Sequence, residues 1–299
     1  MTIPRPVSFS AARATRSAAL AFVCVGASLL APAVSPAEAQ DKSLEELYGR
    51  IAADLRAGRP LRVRVYVALC DNASQGIVPV KNPSICDGDD PDRNLYWGGG
   101  GGLRGYLEKQ RWRQLATQRS ESDPVLIRSR WGKRYRASGR LRERLVGDVV
   151  DVEIEALAYR GREIEQAMRD YLADAHGGAD APAPSHLLGY IGHNVLLDTR
   201  ESLLPRSARR ADHRSPRGVF ALSCYGEPTI RPAVASRGAS VLLLNRSLTF
   251  PGAWTIGGIL EAIVDGRDAR GIYRAATRHF ARGKGRPTKA FWGVFSYGD

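Results

Sequence analysis

Two residues able to do nucleophilic chemistry, His193 and Cys224, each stand just past a short apolar run. Leu187–Ile191 reads LLGYI and passes through Gly192 to His193. Val219–Leu222 reads VFAL and passes through Ser223 to Cys224. A thiolate attacks carbonyls, and a nearby imidazole can take and return the proton. Short apolar runs of this kind read as strands buried in a parallel sheet, and open α/β sheets form their sites beyond the strands' C-terminal ends. As neighbouring parallel strands, these two runs would deliver a thiol and an imidazole to one edge. A helix expected over Pro228–Val234 would aim its N-terminal N–H groups at the Tyr225-Gly226 turn, where an oxyanion could be held. Backbone donors are expected around Gly192 and Gly226. Asn194 can orient the imidazole or donate its own amide.

The N-terminus bears on the cysteine count. Arg5, Arg13 and Arg16 precede an apolar run, Ala18–Leu30, and small residues follow up to Ala37-Glu38-Ala39. Residues 1–39 therefore read as a secretory signal, cut near Ala39–Gln40. Residues 40–299 are then one α/β domain in the periplasm or outside the cell. No second long apolar run exists, so no transmembrane anchor is expected. An oxidising compartment favours disulfides, and a Cys70–Cys86 bridge would close a loop of ~15 residues. If those two pair, Cys224 is the odd thiol, either reactive or buried and inert. Neither C-x-x-C nor H-E-x-x-H occurs, and the acidic run around Asp87–Asp92 lacks EF-hand spacing. No metal and no cofactor are expected.

The formal charge is +13, about +11 without the leader, and arginine dominates it. Such a surface favours anionic envelope polymers, and no motif points to specific nucleic-acid recognition.

These residues need elements to hold them. Apolar spacing predicts helices over Leu44–Ala57, with Ser43 as N-cap, and over 103–115, 161–175, 254–264 and 271–280. Strands are expected at 61–69, 149–158, 187–191, 219–222 and 239–245, with an arginine-rich hairpin around Gly132-Lys133. Alternating strands and helices imply a mostly parallel sheet flanked by helices, in two or three layers. Asp71–Gly102 is a long, ordered loop over the C-terminal edge of that sheet.

The order of GYIGHN and FALSCYGE resembles the clan CD cysteine peptidases: caspases, legumains, clostripain and gingipains. That resemblance implies a caspase-like three-layer fold, His193 as acid/base, Cys224 as nucleophile, and a peptide or other amide as substrate. Asn194 stands where those peptidases carry a glycine. The chain is also similar to a family of exported bacterial proteins without an assigned activity, through ALCDNASQGIVPV, NLYWGGG and YIGHN. This second resemblance implies that Asp71, Asn72, Gln75, Asn94, Tyr96 and Trp97 share a substrate-facing surface with His193. A secreted module binding a ligand or polyanion, with Tyr96 and Trp97 in its cleft, is the alternative from another class.

Overall fold

Leu61-Arg-Val-Arg-Val builds the central strand, β1 (Leu61–Ala68). Its leucine and valines are buried, while Arg62 and Arg64 are half-buried on the other face. Past Val65 both faces are covered and the alternation gives way to apolar residues. The computed structural model describes residues 36–75, 79–177, 184–198, 203, 216–235 and 239–298. The expected leader, apart from its last four residues, and most of the basic loop 200–217 lie outside them.

Helix α1 (Pro36–Arg56) precedes β1. After β1 come the long loop, helix α2 (Leu103–Lys109), strands β2 (Arg113–Arg119) and β3 (Val125–Arg136), and a short helix α3 (Gly139–Glu143). Then follow β4 (Val149–Tyr159), α4 (Ile164–Ala175), β5 (Leu187–Ile191), β6 (Gly218–Leu222), α5 (Gly226–Ala235) and β7 (Ser240–Asn245). Helices α6 (Trp254–Val264) and α7 (Ala269–Gly283) and strand β8 (Phe295–Ser296) complete the described chain.

Among the described residues one sheet runs β2-β3-β4-β1-β5-β6-β7-β8. The pairs from β4 through β7 are parallel, and the outer pairs are antiparallel. One face packs Val63, Val65, Ile191 and Phe220 beneath α1, α6 and α7. The other packs Tyr66, Tyr190 and Val219 against α4 and α5. The architecture is thus three-layer α/β. Helices on both faces explain why β5, β6 and β7 are apolar throughout. From β1 the chain moves outward to β4, then returns across β1 to β5. The strand order therefore reverses between β1 and β5, the position at which open α/β sheets form their crevice beyond the strands' C-terminal ends. No described helix is long and apolar enough to cross a membrane.

Several boundaries differ from the sequence expectation. Helix α1 starts at Pro36 because Ser43 does not cap it; the Ser43 hydroxyl donates back to the Gln40 carbonyl, 2.9 Å away. The helix expected to reach Leu115 stops at Lys109. Arg111 then turns with φ 56°, and residues 113–119 form a solvent-exposed strand. The hairpin turns after Arg119, not at Gly132. Gly132 lies mid-strand, bonded into both ladders, and leaves room for Leu115, which a Cβ there would approach to 3.1 Å.

At the opposite end of β5 from the site, His186 is fully buried. Its Nδ1 accepts the Arg62 amide at 3.0 Å, so that nitrogen carries no proton. Nε2 sits 3.2 Å from Asp54 Oδ2 without a well-aligned hydrogen bond. Burial first, then Arg50 and Arg62, push this imidazole down to about 3 against the opposing pull of Asp54. In the unfolded chain the ring takes a proton near pH 6.5; in the folded chain it stays neutral. Unfolded protein therefore binds the extra proton as pH falls from about 6.5 towards 3, and stability is lost across that window. Urea midpoints at pH 7 and pH 4.5 should differ by more in the wild type than in His186→Gln. An equal acid sensitivity in both would overturn this account.

Candidate active site

Strand β5 delivers Gly192 and then His193 to the crevice. A side chain at Gly192 would approach both Ala68 Cβ and Tyr190 Oη to 3.0 Å, so only glycine lets the chain turn here. The Gly192 amide, expected to face an oxyanion, donates instead to Leu222 O at 3.4 Å. His193 is largely buried, and its carbonyl accepts the Tyr190 hydroxyl at 2.8 Å. Its Nε2 lies 2.5 Å from Asp198 Oδ2, at the end of a single 3-10 turn over Val195–Leu197. That bond assigns the proton to Nε2 and leaves the Nδ1 lone pair as the basic position. Nδ1 makes no hydrogen bond among the described residues. The contact makes Asp198 the orienter of the imidazole.

Strand β6 delivers Cys224 in the same way. The Ser223–Tyr225 turn is tight, and Tyr225 adopts φ 48°, a left-handed conformation costing a non-glycine residue on the order of 1 kcal/mol or more. Helix α5 begins at Gly226, two residues before the expected start, so its first turn follows the cysteine directly. The Gly226 amide, the first of helix α5, makes no hydrogen bond to a described residue outside the helix. Cys224 is a free, half-buried thiol. It makes no hydrogen bond to His193; its sulfur lies 3.7 Å from the Thr249 carbonyl.

Asn194 joins the two strand ends. Fully buried, its amide nitrogen lies 2.8 Å from Cys224 O, 3.3 Å from Tyr225 O and 2.8 Å from Thr229 Oγ1. It therefore clamps the His193 loop to the Cys224 turn and supports the strained Tyr225. It does not contact the imidazole, and a glycine could not make this clamp. The signal for it was present in the sequence as a polar residue between two reactive strand ends.

The long loop is ordered by its own polar side chains. Cys70 and Cys86 form a disulfide. Buried Asn94 accepts the amides of Cys70 and Tyr96 through Oδ1 and donates to the carbonyls of Cys70 and Asp87. Gln75 donates to Leu69 O, Asn72 brackets Val80 through both its amide atoms, and Asp71 caps the Ala73–Ser74 turn. Trp97 is 1% exposed and lies in the core. Of the residues expected to face substrate here, Asn72, Gln75, Asn94 and Trp97 instead shape the loop, since their bonds and surfaces are used internally. Tyr96 does reach the site. Burial first and neighbouring Cys224 second raise its phenol well above the usual range, so the O–H stays protonated. Its ring packs 6.4 Å from that of Phe250, next to Thr249.

No group of metal-ligating side chains is found among the described residues. The fold and the two strand ends define an α/β protein with a free thiol and a carboxylate-oriented imidazole at one sheet edge. No protein-family model, no curated protein and no solved structure matches the chain.

Proposed function

We infer that this chain is a secreted or periplasmic cysteine hydrolase of caspase-like design, acting on a peptide or other amide. The observation that carries the reading is the Asn194 clamp, which ties the turn of a free thiol to the loop of an imidazole already oriented by Asp198. The Cys224 thiolate attacks the carbonyl carbon, forming a C–S bond as the carbonyl electrons move to oxygen. The Gly226 amide and the Tyr96 hydroxyl are the donors assigned to that charge. Collapse breaks the C–N bond, and protonated His193 gives its Nδ1 proton to the leaving amine. Water then attacks the thioester, His193 takes its proton, and the thiol is restored.

Iodoacetamide labelling followed by peptide mapping tests this reading. Cys224 should be alkylated in the native protein, and His193→Ala should slow the reaction at neutral pH by about tenfold or more. A native Cys224 that resists alkylation, or a rate indifferent to His193, removes the enzyme reading.

One observation favours the binding alternative. A groove of about 650 Å³ at the far end of the sheet is lined by Arg59, Arg111, Arg113, Lys133 and Arg134 against Asp151 and Glu153. Arg111 and Arg113 make no ion pair among the described residues. Retention on an anionic polymer that falls steeply between 50 and 200 mM salt would support that alternative, at roughly the screening range of surface charges.

A further inference from the structure

A second cavity lies where α7 meets the C-terminal segment. Its volume is about 420 Å³, in the range that holds small organic ligands. Arg270, Tyr273 and Arg274 line it from α7, at positions i, i+3 and i+4 on one face of the helix. Trp292 and Tyr297 flank β8 and line it from the other side. Arg246, just past β7, forms the third edge. The lining contains three guanidinium groups and no carboxylate.

The aromatic rings form a layered wall. Tyr273 stands with its ring centroid 5.7 Å from Trp292 and 4.9 Å from Tyr297. The wall is held in place: the Tyr273 hydroxyl accepts the Gly293 amide at 3.0 Å, and Gly293 takes φ 89°, which lets the chain leave Trp292 outside the core. Trp292 remains 49% exposed, one of the few large apolar side chains so exposed. Arg270 and Arg274 are exposed and make no ion pair among the described residues. Arg246 is bonded to Glu227 at 2.6 Å, so it borders the cavity already neutralised.

Each half of this arrangement has a use. A π-face left open beside a cavity gains from a planar ring laid against it. Two guanidinium groups one helical turn apart exceed what a single carboxylate can occupy in a fork. A phosphate, with three terminal oxygens and up to two negative charges, can serve both. We propose that this cavity binds a nucleotide-sized ligand, a planar aromatic ring joined to a phosphate, with the ring on Tyr273 and Trp292 and the phosphate between Arg270 and Arg274. The site stands independently of the hydrolase reading, since none of these residues belongs to the Cys224 machinery.

Adenosine 5′-monophosphate is the probe, titrated into the full chain by calorimetry at low ionic strength, with adenosine and inorganic phosphate as separate arms. The monophosphate should saturate with Kd below about 1 mM, and each half-ligand should bind at least about tenfold more weakly. Trp292→Ala and the double change Arg270→Ala, Arg274→Ala should each weaken the monophosphate by about tenfold or more. These side chains are exposed, so the variants should keep the wild-type thermal midpoint; the comparison of three ligands on wild-type protein needs no variant. Inorganic phosphate binding as tightly as the monophosphate would reduce the cavity to a bare cationic patch and overturn the proposal. Absence of saturation, or indifference to the arginine changes, would overturn it equally.

Discussion

Asp174→Asn should destabilise the protein by about 3 kcal/mol or more, measured by urea denaturation at pH 7. Asp174 lies on α4 and is 6% exposed. Its Oδ2 accepts Arg64 Nη1 and the Tyr66 hydroxyl, both at 2.9 Å, and its Oδ1 accepts Arg217 Nη1 at 2.9 Å. Arg217 also donates to the Asp174 carbonyl. One carboxylate thus balances two arginines that have left most of their water. Arg64 keeps Glu155 at 2.6 Å after the change, but Arg217 loses its only charged partner among the described residues. An amide of the same shape can accept a hydrogen bond but cannot neutralise a buried cation, so the penalty is that of an unpaired charge. The half-exposed pair Arg169–Glu165, 2.8 Å apart and on the same helix, is the control. Breaking it should cost less than about 1 kcal/mol. Because Asp174 joins α4 to β1 and to the entry of β6, the loss falls at the end of the sheet remote from Cys224. Folded Asp174→Asn protein should therefore keep the wild-type alkylation rate at Cys224. A stability change below about 1 kcal/mol would mean that the arginines relax into solvent.

The parts of this fold legible in the sequence are those where burial is complete. Leu187–Ile191 falls where its apolar pattern places it, because helices cover both sides of the central sheet and no polar residue interrupts the run; Trp254–Val264 does so because Ile256, Ile259, Leu260 and Ile263 recur at helical spacing and are buried, while Glu261 faces out. Strand β2 reads RQLATQR and is exposed on nearly every residue, so nothing in its pattern separates it from the helix before it. It exists through its pairing with β3, a long-range fact. Strand β8 is two residues long and likewise owes its existence to β7. The candidate site divides similarly. His193 and Cys224 were marked by apolar runs that end at them. The contribution of Asp198 depends on a 3-10 turn returning the chain to the imidazole, and no spacing rule fixes that. Asn94 and Trp97 looked like surface residues because they sit among glycines and turn formers. They are buried because an irregular loop must satisfy its own backbone, and a fully engaged asparagine is how this one does so.

That loop gives the second large effect. Replacing both Cys70 and Cys86 by serine should cost about 3 kcal/mol, the chain-entropy value for a loop of this size, since the two residues are 16 apart. The bridge does more than close a loop. Cys70 stands two residues past β1, at the strand-order reversal, and its amide and carbonyl are the groups that Asn94 holds. Leu95 in turn donates to Ile85 O, one residue before Cys86, and Asn72 donates to Cys86 O. The disulfide and the Asn94 clamp therefore fix the same stretch from two sides, and that stretch carries Tyr96, whose phenol feels the charge of Cys224. Without the bridge the loop should open locally before the sheet unfolds, because sheet and helices bury most of the apolar core while the loop, apart from Tyr96 and Trp97, is held by hydrogen bonds. Two readouts separate these events. Urea denaturation should show the global loss. Alkylation of Cys224, well below the denaturation midpoint, should become faster in the double serine variant as Tyr96 ceases to shield the sulfur. Asn94→Ala, which keeps the disulfide, should accelerate alkylation in the same direction. Faster alkylation in neither variant would overturn the view that the loop's two anchors keep Tyr96 shielding the sulfur.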